Sequence, residues 1–476
     1  MFMLAMTTTS TVSGQAYPLS FDTSITFQNV GTSATTVTFN FYNQGSSQAR
    51  TDTKNLNAKA GDSYAISSST SVVPSGFWGS ARLSANQTIV ATLVHLPPSN
   101  SGLKNRPLSN ASGVGSSQIL IPTLLKNKFN TTSKFSIQNL SSDNIDITVD
   151  IYNADNPTAA PITVKRYDIA PGLSAYFDMG NRVSIPITTN DFNGSAIARG
   201  VKSGSTILSR DIFGTIMELS TTVARAKAFE SVSGGAATLY LPSALCNASD
   251  GLGSNLQTAF AVQNVASSGT ANVTVYYSNN VQKTASVAAG AKVSFITCTD
   301  QNNSAFSGAA RVAASGGTIV AIGKAYSNGT NLETAYVGQS QGALKVALPY
   351  IRYSSDSLYN NGSRQRSIIF IQNVSTSAAN ITVRYINKAG TELGTHTINN
   401  VAAGAVVSSR PINAGSSTAL QEFGNPESNG ASAGYGGGAI IEGTQNIAAV
   451  ARVYTRDTST STATDVAEDY NGVSIP

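Results

Sequence analysis

Ile25–Val30 reads ITFQNV, and the same apolar stretch ending in Gln-Asn returns as FSIQNL at Phe135–Leu140, FAVQNV at Phe260–Val265 and IFIQNV at Ile369–Val374. The pairs begin at Gln28, Gln138, Gln263 and Gln372, roughly 110–125 residues apart. A period of that length is a domain, not a solenoid turn. The chain of 476 residues therefore reads as four copies of one unit.

Other landmarks keep their order inside each copy. After the Gln-Asn pair comes an alternating run: VTFNFYN, ITVDIYN, VTVYYSN and ITVRYIN. In the second copy Ile147, Val149 and Ile151 share one face while Thr148 and Asp150 take the other, the period of a half-buried strand. A turn follows at KAGD, APGL, AAGA and AAGA, with Gly61, Gly172, Gly290 and Gly404 expected at positive φ. In FWGSARL, FNGSAIA, FSGAARV and YGGGAII, the rings of Phe77, Phe192, Phe306 and Tyr435 are expected to lie over nearly bare backbone. TIVATLV, TILSRDI, TIVAIGK and NIAAVAR read as a last strand.

Each unit also opens on a strand closed by proline: ILIP at Pro122, LYLP at Pro242 and VALP at Pro349. With about seven short strands per unit and no helical periodicity, the predicted class is all-β. It comprises four tandem immunoglobulin-like or fibronectin-like β-sandwich domains of about seven strands each. The repeats are placed at 1–116, 117–236, 237–342 and 343–464, followed by a terminal segment, 465–476.

Composition narrows the function. Hydrophobic residues make up 41% of the chain and charged residues 12%, the reverse of a disordered balance. The polar remainder is dominated by Ser, Thr, Asn and Gly, suited to turns and outward strand faces, and points to an extracellular, cell-surface location. A net charge of +5 is scattered with no basic stripe, so no nucleic-acid partner is expected. Loose attraction to acidic cell-surface polysaccharide stays open. No run approaches 18 apolar residues, so no membrane span is expected, and MFMLAM at the start lacks the basic flank and length of a signal core. Cys246 and Cys298 lie at expected strand ends. A bridge between them would close about fifty residues, worth on the order of 4 kcal/mol.

The order [IL]-x-[IL]-P, then [IV]-Q-N, an alternating strand ending Tyr-x-Asn, and Gly-Ser-Ala resembles repeats of secreted bacterial surface proteins. The resemblance spans nearly the whole chain and implies tandem β-sandwiches at the cell surface. Its motifs are structural, and no catalytic residue carries over.

Chemistry-bearing patterns are sparse. His95 and His396 occupy non-equivalent places without zinc-ligand spacing and read as two surface imidazoles. NADN at Asn153–Asn156, NASDG at Asn247–Gly251 and CTDQNN at Cys298–Asn303 lack the dense acidic spacing of a calcium cage and read as Asx turns. No enzyme, cofactor or metal is expected. The lone tryptophan, Trp78, is a weak candidate glycan contact and more readily a packing residue.

The chain stops on VSIP, which looks like the opening strand of another unit. Gly472, Val473, Ser474, Ile475 and Pro476 are accordingly the candidate assembly strand. Ala16, Tyr17 and Pro18, the poorest match to an opening strand, are the candidate acceptor in a second molecule. Phe2 and Leu4 form an alternative donor. The expected function is a structural subunit polymerising head to tail with identical subunits. A monomeric adhesin or glycan-binding module is the alternative.

Overall fold

The computed structural model describes residues 2–3, 21–46, 48–67, 71–98, 101–220, 225–249, 255–328, 330–354, 356–362, 364–424, 437–458 and 464–476. Among these, β-strands dominate, with three α-helices of four or five residues and one 3-10 turn.

The second repeat shows the unit in full. Its strands are Gln118–Lys126, Thr131–Asn139, Ile145–Asn153, Ile162–Ile169, Ser174–Asp178, Phe192–Lys202, Ile212–Ser220 and Ala226–Glu230. One antiparallel sheet has the order fourth, third, sixth, first, and the other fifth, second, seventh, eighth. Both orders recur in the other three repeats, although in the last a single long strand, Gly438–Asp457, serves as sixth and seventh together. The two sheets face each other across one apolar cluster. In repeat 2 that cluster joins Ile147, Val149 and Ile151 to Phe135, Ile137 and Ile216.

Two expectations change here. The unit has eight strands rather than about seven, and its sheets are not those of an immunoglobulin domain. There, strands one, two, four and five share a sheet. Here the first and fourth lie with the third and sixth, and the seventh pairs the second. The small residues of the sixth strand bear on this order. A Cβ at Gly194 would meet the Phe192 ring at 2.3 Å and Tyr152 O at 2.3 Å, so only bare backbone fits between ring and neighbouring strand. Phe77 over Gly79 and Phe306 over Gly308 repeat the arrangement. In repeat 4 the ring comes from Phe423, against Gly437; Tyr435 lies outside the described residues.

The Gln-Asn signature is a pair of turn anchors. Asn139 Nδ2 donates to Asp143 O at 2.7 Å and Ile169 O at 2.8 Å, tying two turns together. Gln138 Nε2 donates to Gly172 O at 2.8 Å. Gly172, Gly290 and Gly404 take positive φ as expected, but Gly61 does not. The corresponding residue of repeat 1 is Lys59 (φ 62°), whose carbonyl accepts Gln28 Nε2. In repeat 2 the last expected strand was also misplaced, since the seventh strand begins at Ile212, where TILSRDI ends.

Cys246 and Cys298 form a disulfide, S–S 2.02 Å, joining the end of a first strand to the short helix Thr297–Asp300.

VSIP does not open a further unit. Val473–Ser474 lies antiparallel beside Ala343–Leu348, the first strand of repeat 4 in the same chain. Val232 borders Leu120 and Gln339 borders Tyr240 in the same way. One residue earlier, Ala111, Ser231, Gly338 and Gly472 each donate N–H back to the seventh strand, at Ala91, Gly214, Ala321 and Ala449. The segment is therefore the closing stretch of repeat 4. An apolar-x-apolar-Pro pattern cannot separate the two roles, because closing segment and first strand lie side by side with the same alternation. At the other end, Phe2–Met3 pairs with Ser80 and Ala81 and stands as the first strand of repeat 1. Leu4 and the expected acceptor, Ala16, Tyr17 and Pro18, lie outside the described residues.

Candidate interaction site

The eighth strands of the four repeats are Leu108–Asn110, Ala226–Glu230, Glu333–Val337 and Thr464–Asn471. The first touches the second, the second the third, the third the fourth, and the fourth returns to the first. The chain thus closes on itself as a ring of four repeats around a hub of eighth strands.

Hydrogen bonds link the four equivalent hub positions. Asn110 N–H donates to Glu230 Oε2 at 3.1 Å, and Asn110 Nδ2 to Asn471 O at 2.6 Å. The Asn471 side chain in turn accepts from Val337 N at 2.9 Å and donates to Val337 O at 2.6 Å. Buried charge supports the hub between repeats 2 and 3. Glu218 receives Lys324 at 2.8 Å and Lys227 at 3.1 Å, and Lys227 also meets Glu333. Burial alone would raise the Glu218 pKa; the two ammonium groups override it and bring it down to about 2. Between repeats 3 and 4, Arg452 and Asp469 form a fully buried two-bond pair, both contacts at 2.8 Å, and Arg452 Nη2 reaches Ser243 Oγ of repeat 3 at 3.3 Å.

Further out, each repeat meets the next along a seam where the turn tied by Gln receives the end of the preceding third strand. Tyr42 of repeat 1 covers Gly172, where a Cβ would sit 2.5 Å from the ring, and Tyr152 of repeat 2 covers Gly290 at 2.3 Å. Ser80 Oγ donates to Gly172 O and Ser195 Oγ to Gly290 O, so the Gly-Ser-Ala motif also serves the seam. Repeat 4 closes on repeat 1 through its Asn387–Gly390 turn. Gly390 abuts Ala58 O, Lys388 O accepts Gly61 N–H at 3.2 Å, and Lys388 pairs with Asp62 at 3.1 Å.

Trp78 belongs to a seam as well. Its ring centroid is 4.5 Å from that of Tyr176 in repeat 2, the packing arrangement rather than an open sugar platform. His95 is not a surface imidazole but is buried beside Thr23, Ser109 and Phe21, and burial pushes its pKa down to about 4. His396 is half-buried, Nδ1 2.9 Å from Ser409 Oγ.

Among the described residues no cluster of three or more His, Cys, Asp or Glu is placed to hold a metal, and no helix is long and apolar enough to cross a membrane. A cleft of about 450 Å3 lies between Leu96, Leu103 and Arg106 of repeat 1 and Thr455, Arg456 and Thr458 of repeat 4. The seam between repeats 3 and 4 opens into a larger one, of about 860 Å3, beside the Gly404 turn. No protein-family model matches the chain, and no curated protein matches it either. Sequence reasoning found the residues that build the seams but missed the seams themselves. The available signal was that the motif residues are small or aromatic at positions where one unit alone does not require it.

Proposed function

We propose that the protein is a structural subunit of an extracellular, cell-surface assembly of identical subunits, made of four β-sandwich domains at 1–116, 117–236, 237–342 and 343–464 and without enzymatic activity. The observation that carries this reading is ring closure. The recurring motif residues serve turns and inter-repeat seams, which makes a stiff block suited to stacking rather than a flexible string. Each repeat also carries one outward edge, its fourth strand, at Ala49–Leu56, Ile162–Ile169, Gln282–Ala288 or Glu392–Val401. Sheet edges are the usual place for strand pairing between molecules.

The joining element in this proposal is Gly472–Pro476. Val473 and Ser474 pair with Ala347 and Val346 of their own first strand, and Ile475 N–H donates to Lys345 O at 3.1 Å. The same pairing made with a neighbour is strand exchange, which needs no new contact geometry. Negative-stain microscopy of the full chain and of a chain lacking Val473–Pro476 tests it. That deletion spares Tyr470, which belongs to the core of repeat 4. Filaments or sheets from the full chain and dispersed rings from the shortened one are expected. Assemblies that persist without the segment remove strand exchange and leave the outward edges as the joint. Dispersed particles from the full chain at every concentration overturn the structural role.

A further inference from the structure

The seam between repeats 3 and 4 differs from those between repeats 1 and 2 and between repeats 2 and 3 at four equivalent positions, and every difference lies on the repeat 3 side. Where Tyr42 and Tyr152 cover the glycine turn of the next repeat, repeat 3 has the exposed Ser278. A Cβ on Gly404 meets nothing within 4 Å, against 2.5 and 2.3 Å at Gly172 and Gly290. Where Ser80 and Ser195 bond across the seam, repeat 3 has Ala309, which has no hydroxyl to offer. The Gly404 carbonyl is left with a long bond from Gln372 Nε2, 3.5 Å.

The other two differences add rings. Tyr276 stands where the other repeats have Asn40, Asp150 and Arg384, and Tyr240 where repeat 2 has the buried Leu120. Both tyrosines line the cleft. Arg311 completes it. Its counterpart Arg82 crosses seam one–two to donate to Leu140 O at 2.7 Å, whereas the Arg311 guanidinium lies 4.1 Å over the Tyr276 ring and lines the cleft.

We infer that this cleft is a binding site for an acidic oligosaccharide, a short run of uronic acid residues. The cleft has the volume of a small-ligand site. The Tyr240 and Tyr276 phenols, the second backed by Arg311, supply the aromatic lining against which pyranose C–H groups pack. Thr238, Ser307 and Thr376 offer hydroxyls, and the Gly404 carbonyl accepts from a sugar hydroxyl. Arg311 is the single charged side chain among the lining residues, with no carboxylate beside it. A guanidinium stacked on an aromatic ring keeps its outer N–H groups free for a carboxylate, which it binds through two parallel bonds. This selects a carboxylated sugar over a neutral one. The inference stands apart from polymerisation, because the cleft lies within one chain.

Isothermal titration of the full chain with tetrasaccharides of galacturonic, glucuronic and mannuronic acid, and with a neutral galactose tetrasaccharide, tests the assignment. At least one acidic tetrasaccharide is expected to bind at least tenfold more tightly than the neutral one. Ser278→Tyr, which restores the residue of seams one–two and two–three, is expected to weaken that binding at least tenfold while leaving thermal unfolding unchanged or raised. Arg311→Gln is expected to erase the preference for acid. No heat from any acidic tetrasaccharide up to about 5 mM, the range of the weakest single-site contacts, overturns the inference. So does undiminished binding by Ser278→Tyr, or equal affinity for the neutral sugar.

Discussion

Replacing Arg452 with alanine is expected to lower the unfolding free energy by roughly 3–5 kcal/mol, the cost of leaving one member of a buried ion pair without the other. Arg452 and Asp469 are direct cross-strand partners, both fully buried, held by two bonds of 2.8 Å. Both side chains are out of reach of bulk solvent, so the carboxylate left behind loses its partner without gaining hydration. Asp469 also sits on the hub strand of repeat 4, its N–H donating to Thr334 Oγ1 of repeat 3, so the loss is felt across the interface. The pair need not be better than an apolar substitute. Arg452→Met with Asp469→Leu is expected to recover most of what the single change removes. Denaturant titration of the singles and the double gives the coupling directly. A loss below about 1 kcal/mol for Arg452→Ala would match an exposed surface pair and contradict its burial.

The second large effect is a stability that falls on both sides of mildly acidic pH. Glu468 is buried at the junction of repeats 4 and 1, and burial pushes its pKa up to about 8 against the opposing bond from Arg106 N–H. Between about pH 4.5 and 8 the folded state keeps a proton that the unfolded chain has lost. Stability therefore declines as pH rises through that window, by on the order of 4–5 kcal/mol in total. His95 works in the opposite direction. Its folded pKa of about 4 lies below the usual 6.5, so the unfolded chain binds the extra proton between those values. Its contribution, about 3 kcal/mol, is complete above pH 6.5 and lost as pH falls towards 4. Glu218, held down at about 2, adds a further loss as pH falls below 4.5. Glu468→Gln keeps the acceptor for Arg106 and removes the ionisation. It is expected to raise the melting temperature at pH 8 and flatten the alkaline decline, with little effect at pH 5. An unchanged alkaline decline would place Glu468 in water.

Much of the strand pattern was legible because it follows side-chain periodicity. The Gln-Asn pairs marked the second strands, and the ring-over-glycine motif marked the sixth in three repeats. What failed was the assignment of short motifs whose meaning depends on neighbours. The turn of repeat 1 carries its left-handed residue at Lys59, two places before the glycine that suggested it. VSIP has the letters of a first strand and the place of a closing segment. Ring closure left little trace in the sequence. The equivalent hub residues Asn110, Glu230, Val337 and Asn471 share no chemistry, and each is explained only by the strand it meets from another repeat. The open seam was not legible, since Ser278 and Ala309 break the Tyr and Ser pattern but so do Ile386 and Gly438 of repeat 4, which meets repeat 1 through the Asn387–Gly390 turn instead.

The central claim is that the four repeats form a closed ring, and the radius of gyration of the dispersed chain in solution measures it most directly. Small-angle X-ray scattering at low concentration is expected to give about 25 Å, close to the ~23 Å of a compact body of this length. A value of about 45 Å, that of four such domains strung end to end, would contradict the ring and with it the hub and the seams.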